Sequence, residues 1–500
     1  MAGKSGPRVM TGRLERCSLK RVAVRPVRRQ RMSEAADLIN ILRQSADEKV
    51  VDAIESLISD APDRQLCRIN VLAFAEKHGF DEEKTIAAFL HAASLGLFDI
   101  SWNVLCPGCG GVLDTNATLK TLQRSHYFCT LCAAGYEPTL DEMVEVTFTV
   151  RARIRRIGAH DPEELPPAEY FRQIFWGSGV ELPEEDFASR IEDFVIDTVE
   201  LPGGEKAILS TQIPEGSIII FEPVTHAVQF LDVKGETSRD RQNLTIIIDR
   251  DHPHSQTLEM RPGPIRISFE NRTNARTLPS VCIAGEALHQ MLGTRRPFLT
   301  AKRLLSNQTF RDLYRTDTLD IDQRLKITSL TFLFTDLRGS TALYERVGDL
   351  LAFEIVRTHF RVLNEIVAAE AGAVVKTIGD AVMATFPTPD RAVAAALRMR
   401  EAMRDLNEQR GSEELLLKIG IHEGPCIAVS MNERQDYFGQ TVNIASRVQG
   451  LATSQSIFVT DPVIADARAA EILNAAKLTP VSQGAMLRGV TSEMPLYVIP

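Results

Sequence analysis

The sequence predicts a multidomain α+β chain. A helical module comes first, then a four-cysteine ribbon, a β-rich domain, and a C-terminal domain in which strands and helices alternate. Three observations carry this prediction. Apolar residues recur at helical spacing between Ile69 and Leu97. Two Cys-x-x-Cys pairs stand at Cys106/Cys109 and Cys129/Cys132. From Ile327 onward, short apolar runs alternate with long amphipathic or Ala-rich stretches. A chain of 500 residues has room for several domains.

Composition sets outer limits. Hydrophobic residues make up 44% and charged residues 25%, enough apolar material for ordinary packed cores. The formal net charge of −9 argues against nucleic acid or an anionic membrane as a whole-chain partner. An anionic substrate would then need a locally positive or metal-loaded site. No apolar run reaches the length of a membrane span. Eight cysteines in a chain of this length do not suggest a disulfide scaffold, so a reducing cytoplasm is the expected setting.

Residues 1–31 carry Arg8, Arg13, Arg16, Lys20, Arg21, Arg25, Arg28, Arg29 and Arg31 almost without acids. They read as a basic disordered tail, with Met32 as an alternative start, and they lack the apolar core of a secretory signal. Residues 32–104 read as a helical module of winged-helix type. Val71, Leu72, Phe74 and Ala75, then Ile86, Phe89 and Leu90, mark two helices, and Gly79 marks the turn between them. No basic recognition face stands out, so protein contact is the expected role rather than DNA binding.

Residues 105–142 read as a zinc ribbon. Each knuckle offers two thiolates, and two knuckles complete a tetrahedron around one Zn²⁺. With all four positions filled by cysteine, no site is left for substrate, so a structural metal is expected. A redox pair is the alternative. Residues 143–295 read as β-rich, from the strand candidates 144–150, 218–221, 244–248 and 265–269 and from the turns at Pro202-Gly-Gly204 and Pro262-Gly-Pro264. A sandwich is the expected form, and sensing and spacing are equal readings of its role. Residues 296–326 read as a helical connector around Leu304–Tyr314 that leads into the last domain.

The chemistry concentrates in residues 327–500. An apolar strand, Leu330–Phe334, runs into Thr335-Asp-Leu-Arg-Gly-Ser-Thr341, and a helix is predicted from there to about Ala371. A turn rich in glycine and hydroxyl groups before a helix is a phosphate cradle, which assigns Gly339, Ser340 and Thr341 to phosphates. Asp336 stands at the strand end. Residues 373–378 and 381–386 read as a β-hairpin that holds Asp380 at its tip. Two carboxylates at neighbouring tips suit Mg²⁺ or Mn²⁺. Residues 390–410 read as a helix and 415–422 as a strand. A further helix is predicted to open at Asp436 and to carry Asn443 and Arg447 four residues apart on one face.

Phe334-Thr-Asp-Leu-Arg-Gly-Ser-Thr341, Lys376-Thr-Ile-Gly-Asp-Ala-Val-Met-Ala384, Gly420-Ile-His-Glu-Gly424 and Asp436-Tyr-Phe-Gly-Gln-Thr-Val-Asn-Ile-Ala-Ser-Arg447 together resemble the class III adenylate/guanylate cyclase domain. The upstream part resembles, more vaguely, the amino-terminal region of some bacterial soluble cyclases. The resemblance implies a ferredoxin-like α/β sandwich that makes cyclic AMP from ATP. It implies that Asp336, Asp380 and the Leu337 carbonyl hold two Mg²⁺ or Mn²⁺ ions. Arg447 would stabilise charge on the α-phosphoryl group, and Asn443 would position the ribose. Lys376 and Asp436 would read adenine, because guanine reverses the donor and acceptor that these residues meet. The metal ligands and the base-reading, Asn and Arg groups belong to opposite protomers in that family, so a symmetric homodimer with two shared sites is implied. One departure stands out. The family's C-terminal phosphate-binding Lys is missing, and Arg488 is its candidate replacement. The alternatives are a guanylate cyclase, or a nucleotide-binding regulator with a silent cyclase domain.

Overall fold

The computed structural model describes residues 25–122, 124–183, 187–249, 256–314, 325–411, 415–431, 434–453, 456–485, 487 and 493–500. The expected tail therefore lies outside the described residues as far as position 24. Its last part is not disordered: a helix runs over Arg25–Leu42. Helices Glu48–Asp60, Val71–His78 and Glu82–Leu95 follow. Their ends follow from local chemistry. Asp47, Asn70 and Asp81 accept hydrogen bonds from the first free backbone N–H groups. The chain leaves the third helix at Gly79 with φ 67°, a left-handed conformation that glycine adopts without strain.

The strand Val144–Val150, expected at the head of the β-rich domain, instead pairs antiparallel with Phe98–Leu105. It does so because Val144, Val146, Phe148 and Val150 are all fully buried and continue the apolar core of the helices. The cysteine ribbon is thus an excursion between two paired strands of the helical module. Farther along, two sheets pack face to face. One has the order 242–248, 263–271, 206–213, and the other 258–260, 228–233, 216–221, 280–283, 195–198. Ile218, Ile220, Leu231, Ile265, Ile267 and Phe269 fill the space between them. The connector forms two short helices, Ala301–Leu305 and Gln308–Leu313, capped by the Thr300 and Asn307 side chains.

The C-terminal sheet has the central order Ala373–Ile378, Ala381–Phe386, Leu325–Leu337, Leu417–Met431. Numbered along the chain this is 2-3-1-4, the split βαβ arrangement of a ferredoxin-like sandwich. Ile457–Thr460, Met494–Ile499 and Val481–Ala485 extend it beyond the fourth strand. Helices Asp349–Ala369 and Pro389–Arg410 cover one face, burying Leu333, Ile355, Leu363, Val382, Met399 and Ile421.

The other face is not left to solvent. Phe332, Phe334, Met383, Ala428 and Tyr437 join one core with Leu90, Trp102, Phe148, Leu304 and Phe310 of the helical module and connector. Two expectations need correction here. The helix after the phosphate turn is two helices, Ser340–Val347 and Asp349–Ala369, because Gly348 at φ 79° and ψ 159° breaks the run. Asp436 does not open a helix. It lies on the strand Arg434–Phe438, which pairs back on Leu417–Met431, and the helix begins at Gln440.

Candidate active site

Asp336 lies near the end of the central strand, opposite Lys418 in register. Asp380 lies in the turn of the neighbouring hairpin, where Gly379 at φ 65° makes the reversal. The two carboxyl groups feel each other. Burial first, and then the charge of Asp380, raise the pKa of Asp336 above the ordinary carboxylate value; Lys418 and a hydrogen bond from Gln449 partly offset this. The Oδ2 atom of Asp380 is buried and has no hydrogen-bond partner. A half-buried carboxylate pair with an unspent oxygen is deficient in positive charge. Such hard oxygen donors fit Mg²⁺ or Mn²⁺.

The phosphate turn supplies backbone rather than side-chain chemistry. Gly339, at φ 74°, precedes the helix Ser340–Val347, and no side chain caps the helix start. The N–H groups of the first helical turn are therefore left to other acceptors. The side chains of Ser340 and Thr341, and all of Arg488, lie outside the described residues.

Lys376 and Asp436, sixty positions apart in sequence, are brought together. Lys376 Nζ donates to Asp436 Oδ2 at 2.5 Å. The other carboxylate oxygen, Oδ1, accepts from the backbone N–H of Tyr437 at 2.9 Å. Asp436 is thereby held by its own strand, while Lys376 reaches it from the hairpin that bears Asp380.

Asn443 and Arg447 share the outer side of the helix Gln440–Leu451, whose inner side buries Thr441, Ile444, Ala445 and Val448. Asn443 is exposed and Arg447 half-buried. This helix lies directly on the strand 417–431, and Gly420 permits it: a Cβ there would come within 2.2 Å of the Gln449 backbone N. That contact gives a physical reason for one glycine of the Gly420-Ile-His-Glu-Gly424 motif. The sequence reading missed Lys418 and Gln449, the two groups that bear on Asp336. Lys418 was visible only through its register opposite Asp336, and Gln449 carried no signal.

A second cluster lies in the ribbon. The sulfurs of Cys106, Cys109, Cys129 and Cys132 all lie within 4.8 Å of one another. Cys106 and Cys132 are 3.6 Å apart, and Cys109 and Cys129 are 3.7 Å apart. These separations are far longer than a disulfide bond of about 2.05 Å. They match the spacing of roughly 3.8 Å between corners of a tetrahedron with metal–sulfur bonds of about 2.3 Å. Gly110 at φ 75° makes the first knuckle turn, and Cys106, Cys109 and Cys129 are buried.

Comparison with known proteins matches two parts of the chain separately. Residues 32–312 match the family of unknown function DUF5939. Residues 323–498 match the adenylate and guanylate cyclase catalytic domain. An adenylate cyclase of Anabaena cylindrica is 31% identical over 150 residues, which is 27% of this chain and 30% of the relative. Adenylate cyclase 2 of Rhizobium meliloti (strain 1021) is 35% identical over 133 residues, 24% of this chain and 36% of the relative. The chain thus spans about a third of the length of these curated relatives. The solved adenylyl cyclase CyaB from P. aeruginosa superposes with a TM-score of 0.31 at 20% identity, covering 36% of this chain and 96% of that one. With more than half of its length matched by the DUF5939 model, the chain belongs to that family of unknown function, and it carries an adenylate and guanylate cyclase catalytic domain at residues 323–498.

Proposed function

We propose that the chain is an adenylate cyclase, converting ATP to 3′,5′-cyclic AMP and pyrophosphate. The Lys376–Asp436 pair carries this reading. An ammonium donor suits adenine N1, and a carboxylate acceptor suits the 6-amino group. Guanine presents a protonated N1 and a carbonyl at those positions, so both contacts would turn repulsive. A guanylate cyclase is therefore the weaker reading. A silent nucleotide-binding domain is also weaker, since every residue type the chemistry needs at Asp336, Asp380, Asn443 and Arg447 is present.

Asp336, Asp380 and the Leu337 carbonyl would hold two divalent cations. When bound, the ions supply Lewis acidity toward the ribose 3′-OH and neutralise triphosphate charge. The protein's own groups do the rest. The N–H groups after Gly339 receive phosphate oxygens. Asn443 orients the ribose so that the 3′ oxygen faces the α-phosphorus in line with the leaving pyrophosphate. Arg447 places its guanidinium against charge that builds on the α-phosphoryl oxygens.

The active unit in this reading is a symmetric homodimer. Lys376 sits within the strand Ala373–Ile378, paired with Asp436, while Asp380 lies in the turn beyond that strand's end. The resemblance to class III cyclases supports this: there one nucleotide meets the metal carboxylates of one protomer and the base-reading pair of its partner. The four cysteines would hold one structural Zn²⁺, and a reducing, cytoplasmic setting belongs to the same reading. Among the described residues no helix is long and apolar enough to cross a membrane.

The deciding experiment is cyclic AMP formation from ATP with Mg²⁺ or Mn²⁺, comparing the intact chain with Asp380→Ala. Product from the intact chain that disappears in the variant is the expected result. A dimeric, folded protein that makes no cyclic AMP with either metal would sink the catalytic reading.

A further inference from the structure

A cavity of about 220 Å³, lined by no residue of the cyclase domain, lies among the helix Val71–His78, the segment 172–182 and the start of the connector. Arg64, Arg68, Lys77, Arg172 and Arg296 line it, and no Asp or Glu does. On a chain of net charge −9 such a concentration of one sign is not the background expectation.

Among the described residues, Arg64, Arg68, Lys77 and Arg296 form no ion pair. Arg68 donates to the Ile174 carbonyl and to Thr115 Oγ1. Arg296 Nε donates to the Ser178 carbonyl at 3.0 Å. Arg64 Nε is buried with no partner at all. Acids behind this wall are already committed: Glu145 Oε1 accepts from the Ser178 N–H and hydroxyl and Oε2 from Asn103, and Glu169 Oε2 accepts from Gln173. The walls themselves are tied together, because Asn70 Nδ2 donates to the Pro297 carbonyl at 2.8 Å. The cavity is a built concavity, not a scatter of surface lysines.

We propose that this cavity binds a small multivalent oxyanion, either a phosphate ester or a short polycarboxylate. Its size is too small for a nucleotide. Guanidinium groups suit planar carboxylates and phosphate oxygens alike, through paired N–H donors. A dianion relieves the mutual repulsion of several cations where a monovalent ion would not. The occupant would join the helical module, the segment 172–182 and the root of the connector. This inference stands independently of the cyclase reading.

The test is calorimetric titration of the full chain with inorganic phosphate and, separately, succinate, at constant ionic strength and without divalent metal. We expect one saturable site with Kd below about 1 mM. Binding should weaken at least about tenfold in the double variant Arg64→Gln/Lys77→Gln, which removes two charge-assisted contacts. It should persist in Arg447→Ala, which removes a cation of the catalytic domain. Saturation by phosphate alone identifies a phosphate-type ligand, and by succinate alone a carboxylate. Non-saturable uptake of both anions, equal binding in the double variant, or loss only in Arg447→Ala overturns the proposal. If the double variant does not fold, protection of Lys77 from reductive methylation in the unaltered chain decides instead. Lys77 modified equally with and without the anion overturns it.

Discussion

Lys376 and Asp436 hold each other at 2.5 Å across two strands, so neither is tied to a distant partner that a nucleotide would have to displace. A base entering between them exchanges one charged contact for two. The pair should therefore govern which purine is used. Exchanging it, as Lys376→Glu with Asp436→Cys, should lower kcat/KM for ATP by about 10² or more and raise the relative use of GTP. Competition between the two nucleotides measures this, and an unchanged ATP/GTP ratio would show that the base is read elsewhere.

Two buried histidines make a separate prediction. Burial drives both His359 and His422 down to about 4, well under the ordinary value of 6.5. His422 keeps a 2.7 Å contact to Thr460 Oγ1. Between about pH 6.5 and 4 the unfolded chain binds protons that the folded chain refuses, so stability rises with pH across that window. It should fall on acidification from 6.5, by on the order of 2 kcal/mol for each histidine. Denaturant midpoints from pH 7 to 4.5 should show the loss, and His359→Leu should flatten part of the slope.

Packing between secondary-structure elements sets the next level. The helix Gln440–Leu451 can lie on its strand only because position 420 has no side chain. Gly420→Ala should push the helix, and Arg447 with it, off the strand. The expected result is a clear fall in melting temperature with activity lost in parallel. Gly424→Ala should be milder, because its Cβ would meet the Thr441 hydroxyl at 3.0 Å rather than backbone at 2.2 Å. Equal effects of the two substitutions would contradict this packing account.

The connector works at the same level. Gln308 accepts from the Val374 N–H at 2.8 Å, Arg311 donates to the Gln435 carbonyl at 2.9 Å, and Tyr437 donates to the Leu305 carbonyl at 3.3 Å. These bonds reach the strands that carry Lys376 and Asp436. A shift of the connector is thus felt next to the Lys376–Asp436 pair.

Across the whole molecule, the cyclase sheet and the upstream half share one apolar core. Phe332 and Phe334 are 0% and 5% exposed, and burying such a side chain contributes about 2 kcal/mol. A fragment starting at residue 323 would expose that face. It should bind a hydrophobic dye, melt lower than the full chain, and aggregate at lower concentration. A fragment as stable and as soluble as the full chain would show that the shared core is not energetically coupled. The ribbon gives the parallel case. Metal analysis should find one zinc per chain, and Cys106→Ser/Cys109→Ser should lower the melting temperature of the upstream half.

Most of the candidate site was legible in the local sequence. The motifs are contiguous runs, so Asp336, Asp380, Asn443 and Arg447 could be named as candidates from spacing and resemblance, and the structure brings Asp336 and Asp380 close enough for their charges to interact. The same holds for the cysteine knuckles, whose four sulfurs converge as their spacing implied. Failures came where a distant segment decided the outcome. Val144–Val150 looks like any half-apolar strand, and only the core of the helical module selects Phe98–Leu105 as its partner. Asp436 sits in a stretch with helical composition, yet the preceding strand extends and pulls it into a ladder.

The amino-acid order alone determined the chemistry the chain can attempt, because a carboxylate, an amide or a guanidinium is what it is wherever it lies. Tertiary structure decided which groups meet. It brought Lys418 and Gln449 to Asp336, gathered Arg64, Arg68, Lys77 and Arg296 around one cavity, and laid the upstream core against the catalytic sheet. The physical reason is that burial and Coulomb interaction act through space, across separations in the chain that no local pattern records.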